Sequence, residues 1–95
     1  VTIRWTDIAS SELAQLTAYV YRLDRNAALR LKAKVLDRVR QLRHFPELGR
    51  IGKLNGTREL FVRGTSYIVV YEVDGKNIVI NRLIHAAQLY PPDAP

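Results

Sequence analysis

The spacing of apolar residues changes once along this chain, and that change constrains the fold more than any other feature. Leu13, Leu16, Val20 and Leu23 fall three and four positions apart, as on one face of an α-helix. Ala28, Leu31, Val35, Val39 and Leu42 repeat the pattern, widened by Leu29 and Leu36. Beyond Arg58 the apolar residues crowd into short β-branched and aromatic runs instead, which is strand patterning. A chain with two amphipathic helices and then several strands must bury the helical stripes against a sheet.

Local signals sharpen this outline. Val1, Ile3 and Trp5 alternate with Thr2 and Arg4, predicting a short first strand. Thr6 and Asp7 suit a helix start, because a hydroxyl caps free N–H groups and a carboxylate favours the positive end of the dipole. The first helix is predicted over about residues 7–23, and Asp24 caps a second that runs to about Arg43. With almost no connection between them, the helices should fold back as an antiparallel hairpin. Phe45-Pro46 and Gly49 end the helical region, and residues 47–57, with three glycines, read as a loop. Strands are predicted from Arg58 to Val62, Tyr67 to Val73 and Lys76 to His85. Asp74-Gly75 is a hairpin signal, with both residues expected at positive φ. Ala86 to Pro95 reads as a short tail broken by Pro91-Pro92. The expected order is β-α-α-β-β-β, an α+β fold with a helical hairpin packed on a mostly antiparallel sheet, in one domain spanning residues 1–95.

Ninety-five residues suit a single domain. The chain has no cysteine, which excludes disulfides, thiol nucleophiles and cysteine-based zinc sites. No apolar run reaches the length that spans a bilayer, and Val1–Trp5 has no secretory apolar core; a cytoplasmic protein with no membrane partner is expected. The net charge is +6, and all of it lies between Arg22 and His44, where eight Lys and Arg meet only Asp24 and Asp37. Such a helix is either a solvated face or an electrostatic footprint for an acidic protein segment or a nucleic acid.

Several side chains are candidates for chemistry. Arg58 shares strand phase with Leu60 and Val62, and Arg82 with Ile78, Ile80 and Ile84. An arginine among apolar neighbours needs a partner: either solvent or a carboxylate such as Glu59 or Glu72, or a phosphate or carboxylate ligand in a groove. His85 ends the last strand, and imidazole is the natural acid or base near neutral pH. Arg50 and Lys53 sit in the glycine-rich loop, where they either reach a nucleic-acid phosphate or keep the loop soluble. Two histidines without a helical pair are too few for a metal site, no glycine-rich loop opens a helix as phosphate-binding loops do, and no serine sits in an elbow motif. No cofactor is expected.

The ordered segments Phe45-Pro46-Glu47-Leu48-Gly49-Arg50, Gly56-Thr57-Arg58-Glu59-Leu60, Tyr67-Ile68-Val69-Val70-Tyr71-Glu72-Val73 and Arg82-Leu83-Ile84-His85-Ala86-Ala87-Gln88, following a helical hairpin, resemble the toxins of type II toxin–antitoxin modules, the RelE/ParE superfamily. The resemblance covers nearly the whole chain. It implies a bacterial growth-inhibiting toxin, of the kind associated with plasmid stabilisation, held inactive in a hetero-oligomer with its cognate antitoxin. RelE-like members are ribosome-dependent mRNA endonucleases; ParE-like members inhibit DNA gyrase without an enzymatic step.

Here Ile68 stands where many RelE-like toxins carry arginine, and Ala86-Ala87 replace their C-terminal basic cluster. Missing cations would remove transition-state charge stabilisation, so the resemblance is closer to the ParE-like branch. Were the chain a nuclease, Arg58, Arg82 and His85 would be its catalytic residues. A non-toxic basic binding module is the remaining alternative. For an antitoxin, whose acidic or amphipathic C-terminal segment would wrap the hairpin, the contact candidates are Leu13, Leu16 and Val20 with Arg30, Lys34 and Arg38.

Overall fold

The computed structural model describes residues 1–88 together with Tyr90 and Pro91. Its elements in chain order are β1 (Thr2–Trp5), α1 (Asp7–Leu23), α2 (Arg25–Arg40), a 3₁₀ turn (Gln41–Arg43), β2 (Arg50–Ile51), β3 (Arg58–Phe61), β4 (Tyr67–Asp74) and β5 (Asn77–His85). The rest of the tail reading, at Leu89 and residues 92–95, lies outside the described residues.

Both helix starts follow from side-chain caps. The Thr6 hydroxyl accepts from the Ala9 N–H at 3.1 Å and donates to the Asn81 carbonyl at 3.0 Å, so one residue caps α1 and ties it to the sheet. The Asp24 carboxylate accepts from the Ala27 N–H at 3.0 Å, while its own N–H donates to the Val20 carbonyl at 2.8 Å. Asp24 therefore closes α1 and opens α2, which leaves no room for a longer connection and folds the helices back on each other.

The strands form one sheet in the order β1-β5-β4-β3-β2. β1 runs parallel to β5, and the other three pairings are antiparallel. The helical hairpin lies on one face, giving the expected α+β layering. Its core joins Ala9 and Leu13 of α1 and Val35 and Val39 of α2 to Leu60, Val69, Tyr71, Ile78, Ile80 and Leu83 of the sheet. Full burial of each large aliphatic among them contributes about 1.5–3 kcal/mol. On the far face, Ile68, Val70 and Ile84 form a smaller cluster covered by Tyr90.

Three local readings are corrected. Residues 47–57 are not all loop: Arg50 and Ile51 pair with Glu59 and Arg58. This two-residue edge strand is too short to leave a periodic signal. The β4–β5 turn lies one residue later than expected, since Asp74 pairs with Asn77 and the turn residues are Gly75 and Lys76. Only Gly75 has positive φ there, at 61°, which fits a turn with glycine first. Third, Arg82 does not share the phase of Ile78 and Ile80. Tyr71 pairs with Ile80 and Val70 with Arg82, so Asn81 is an extra residue, a β-bulge. Beyond it Leu83 takes over the helix-facing side, and Arg82 and Ile84 turn to the far face.

Candidate functional site

An open groove of about 1040 Å³ lies between α1, α2 and the end of β1. Ser10, Ala14 and Ala18, four residues apart on α1, line it with Trp5, Leu13 and Tyr21 and, from α2, Lys32 and Leu36. Spacing of four places the small residues in one row, and their short side chains leave room above the helix. Tyr19 and Tyr21, 56% and 47% exposed, also line the groove. The guanidinium carbon of Arg22 lies 5.9 Å from the Tyr19 ring centre, and that of Arg25 lies 5.9 Å from the Tyr21 ring. The groove is apolar along its floor and cationic at its lip.

The six antitoxin candidates fall in three places. Leu13 is buried and forms part of the groove wall. Leu16 is half-buried against the core, and Val20 is half-buried further along α1. Arg30, Lys34 and Arg38 share a flank of α2 by their four-residue spacing, and it is not the flank that carries Lys32 and Leu36. Arg38 fixes the direction of that flank: its Nε donates to the Phe61 carbonyl at 2.9 Å and its Nη1 to Gln41 Oε1 at 2.8 Å. A Cβ placed on Gly64 would lie 3.1 Å from Lys34 Nζ, so the ammonium sits against the β3–β4 turn. Of the eight basic residues between Arg22 and His44, only Arg40, with Asp37, forms an ion pair among the described residues.

The sheet candidates do not converge. Arg58 Nη1 donates to the carbonyls of Gly49, at 2.8 Å, and Glu47, at 3.4 Å. Arg82 forks onto Glu12, with Nε 3.0 Å and Nη2 2.8 Å from Oε2, and lies 5.5 Å from the Tyr90 ring centre. His85 is exposed, stands edge-on to Tyr67 with ring centres 5.2 Å apart, and its Nδ1 accepts from the Ala87 N–H at 3.0 Å. Arg58 pairs with Tyr71 and His85 with Tyr67, which puts their Cα atoms about 16 Å apart at ordinary sheet spacings. Arg82 projects from the opposite face. Arg50 pairs with Glu59 at 3.0 Å, and the Lys53 N–H donates to the other Glu59 oxygen at 3.0 Å.

Glu59, expected as a partner for Arg58 or Arg82, pairs with Arg50 instead, and with Tyr71, to which the sequence reading gave no role, it organises this end of the sheet. Glu59 is only 5% exposed. Burial pushes its carboxyl up, but the Lys53 amide and the Arg50 guanidinium outweigh burial and hold it below its ordinary value of 4.5. Tyr71 is fully buried; its hydroxyl donates to the Pro46 carbonyl at 2.7 Å and accepts from the Gly49 N–H at 2.9 Å. Burial raises the pKa of this phenol above its usual 10.0, so it is a neutral donor that pins the 46–49 loop. The signal for it was a tyrosine inside a β-branched run, which reads equally as packing.

The model of the family described as "ParE toxin of type II toxin-antitoxin system, parDE" matches residues 3–90. The chain belongs to the ParE toxin family. A protein named "Putative toxin Y4kP" from Sinorhizobium fredii is 35% identical over 89 residues, spanning 94% of this chain and 92% of the relative. A solved structure titled "Chromosomal ParDE TA system from P. aeruginosa" superposes with a TM-score of 0.81 at 23% identity, covering 90% of this chain and 95% of that one; it shares the fold.

Within this ParE-family fold, the hydrogen-bonding arginines on the sheet are held by carbonyls and carboxylates of the same chain. The helices carry an apolar groove with aromatic walls and a separate cationic flank. Among the described residues no three His, Asp or Glu side chains gather as metal ligands, and no helix is long and apolar enough to cross a membrane.

Proposed function

We propose that this ParE-family toxin arrests growth by binding DNA gyrase without chemistry of its own, and that its antitoxin silences it by laying an amphipathic segment in the α1–α2 groove. The reading against an mRNA endonuclease rests on one observation: Arg58, Arg82 and His85 do not assemble. Strand register separates the first from the last, and Glu12 engages Arg82 from the edge of the sheet. In-line cleavage of a phosphodiester needs a general base and a cation converging on one phosphate, and these three residues offer no shared point.

The groove supports the antitoxin part of the reading. Its floor of small residues between aromatic and aliphatic walls suits the apolar face of a helix docked in a groove, and Arg22, Arg25 and Lys32 at its lip, with no carboxylate partner among the described residues, favour an acidic outer face. Buried apolar contacts would supply affinity and the charges would speed association.

The deciding experiment measures supercoiling by purified gyrase in the presence of this protein. Lost supercoiling and accumulation of cleaved-DNA complexes are expected, both reversed by the antitoxin. Full supercoiling activity at excess toxin, with new cuts in translated messages after induction, would replace this reading by the endonuclease one. Absence of any effect on colony formation would leave a non-toxic binding module.

A further inference from the structure

The two flanks of α2 differ in chemistry. The groove flank carries Lys32 and Leu36, and Leu29, 51% exposed, shares their phase. The other carries Arg30, Lys34 and Arg38 at four-residue intervals, a straight row about 12 Å long at helical rise. The hairpin's exposed tyrosines line the groove, not this row. Arg63 extends the row as the exposed neighbour of Gly64 in the adjoining turn. Gly64 has φ of 77° and no side chain, which leaves room for the Lys34 ammonium to sit against this turn. Arg30, Lys34 and Arg63 have no carboxylate partner among the described residues.

We propose that this row, Arg30, Lys34 and Arg38 with Arg63, grips the phosphate backbone of duplex DNA without regard to base sequence. A protein segment docked here would need apolar anchors along its length to supply its affinity; the exposed tyrosines lie across the helix in the groove, and exposed Phe61 and Leu48 meet the row at its Arg38 end, in a pocket that Arg30 and Lys34 do not line. A single strand would need several aromatic platforms on which to stack successive bases, and the described residues place one exposed aromatic beside the row, Phe61 at its Arg38 end. What remains is a linear series of cations matched to a linear series of anions, which is how sequence-independent duplex binding is built. The contact lies apart from the groove, so the toxin can hold DNA and its antitoxin together. It requires neither gyrase nor the antitoxin, so its failure would leave the proposed function untouched.

Fluorescence anisotropy of the purified protein with a labelled 30-base-pair duplex of arbitrary sequence, across a salt series, tests the assignment. Four phosphate contacts predict a log–log salt slope of about −3.6, hence a loss of affinity on the order of a hundredfold between 50 and 200 mM salt. The Arg30→Ala/Lys34→Ala variant should bind weakly, with a slope shallower by about 1.8. Both positions are exposed on a helix where alanine is favourable, and circular dichroism would confirm the fold. Arg4→Ala/Lys76→Ala removes the same charge from β1 and the β4–β5 turn and should bind as the parent does. An unchanged slope for the first variant, or an equal loss in the second, would overturn the row as the site. Tighter binding to the matching single strand, or full displacement by a polyglutamate peptide at equal charge concentration, would overturn duplex DNA as its occupant.

Discussion

Glu12 on α1 accepts from both Nε and Nη2 of Arg82 on β5, while its Oε1 also accepts from the Leu83 N–H at 2.9 Å. β1 pairs with β5 only from Asn77 to Ile80, so beyond that point β5 is a free edge. Such edges expose backbone donors that recruit foreign strands. One carboxylate therefore closes the edge and neutralises the arginine there, whose pKa is raised chiefly by that hydrogen bond.

Glu12→Ala should destabilise the fold by about 1–3 kcal/mol, because it leaves the Leu83 N–H and the Arg82 guanidinium without their partner; the pair is about a quarter exposed, which keeps the loss below that of a fully buried ion pair. Urea denaturation measures it. Glu12→Gln should recover part of the loss by accepting from the Leu83 amide.

Tyr71→Phe should cost about 1–3 kcal/mol by stranding the Pro46 carbonyl and the Gly49 N–H inside the protein. Gly49→Ala should cost a similar amount through steric clash, since its Cβ would sit 2.7 Å from Tyr71 Cε1 and 3.0 Å from the Glu59 carbonyl oxygen. Hydrogen exchange in the 46–49 loop should rise in both variants while the helices remain protected.

The depressed pKa of Glu59 predicts a pH dependence of stability. Unfolding restores its ordinary value of 4.5, so its contribution is complete above that pH and is lost as pH falls through the lower folded value. Thermal unfolding across pH 2.5–6 should therefore be flatter in Glu59→Gln than in the parent below about pH 4.5. A parallel curve would mean that another carboxylate governs acid unfolding.

Ala14→Trp would fill the groove from an exposed position without disturbing the core. Affinity for the antitoxin should fall tenfold or more, about 1.4 kcal/mol, and co-expression should no longer rescue growth. Inhibition of gyrase by the free variant should persist, which titration calorimetry and a supercoiling assay together can establish.

His85→Gln should leave toxicity unchanged. The imidazole touches Tyr67 and the Ala87 amide and stands far from Arg58. A large loss of toxicity, measured by colony counts after induction, would restore the nuclease reading.

Periodicity, caps and charge by themselves determined the two helices, their abrupt reversal at Asp24, the later strands and the concentration of charge on α2. These are local properties: an apolar stripe, a capping carboxylate and a run of β-branched residues act within a few positions of themselves. Family membership was legible too, because it rests on an ordered set of segments. Tertiary structure alone decided what each candidate side chain faces. One extra residue at Asn81 reversed the orientation of Arg82, since side-chain direction in a strand has a period of two. Glu12, seventy residues away in sequence, then paired with that arginine. The groove, too, needed folding to appear: Ser10, Ala14 and Ala18 are unremarked small residues until Trp5 and Leu36 stand around them. Contacts between distant segments depend on packing, and no local pattern encodes them.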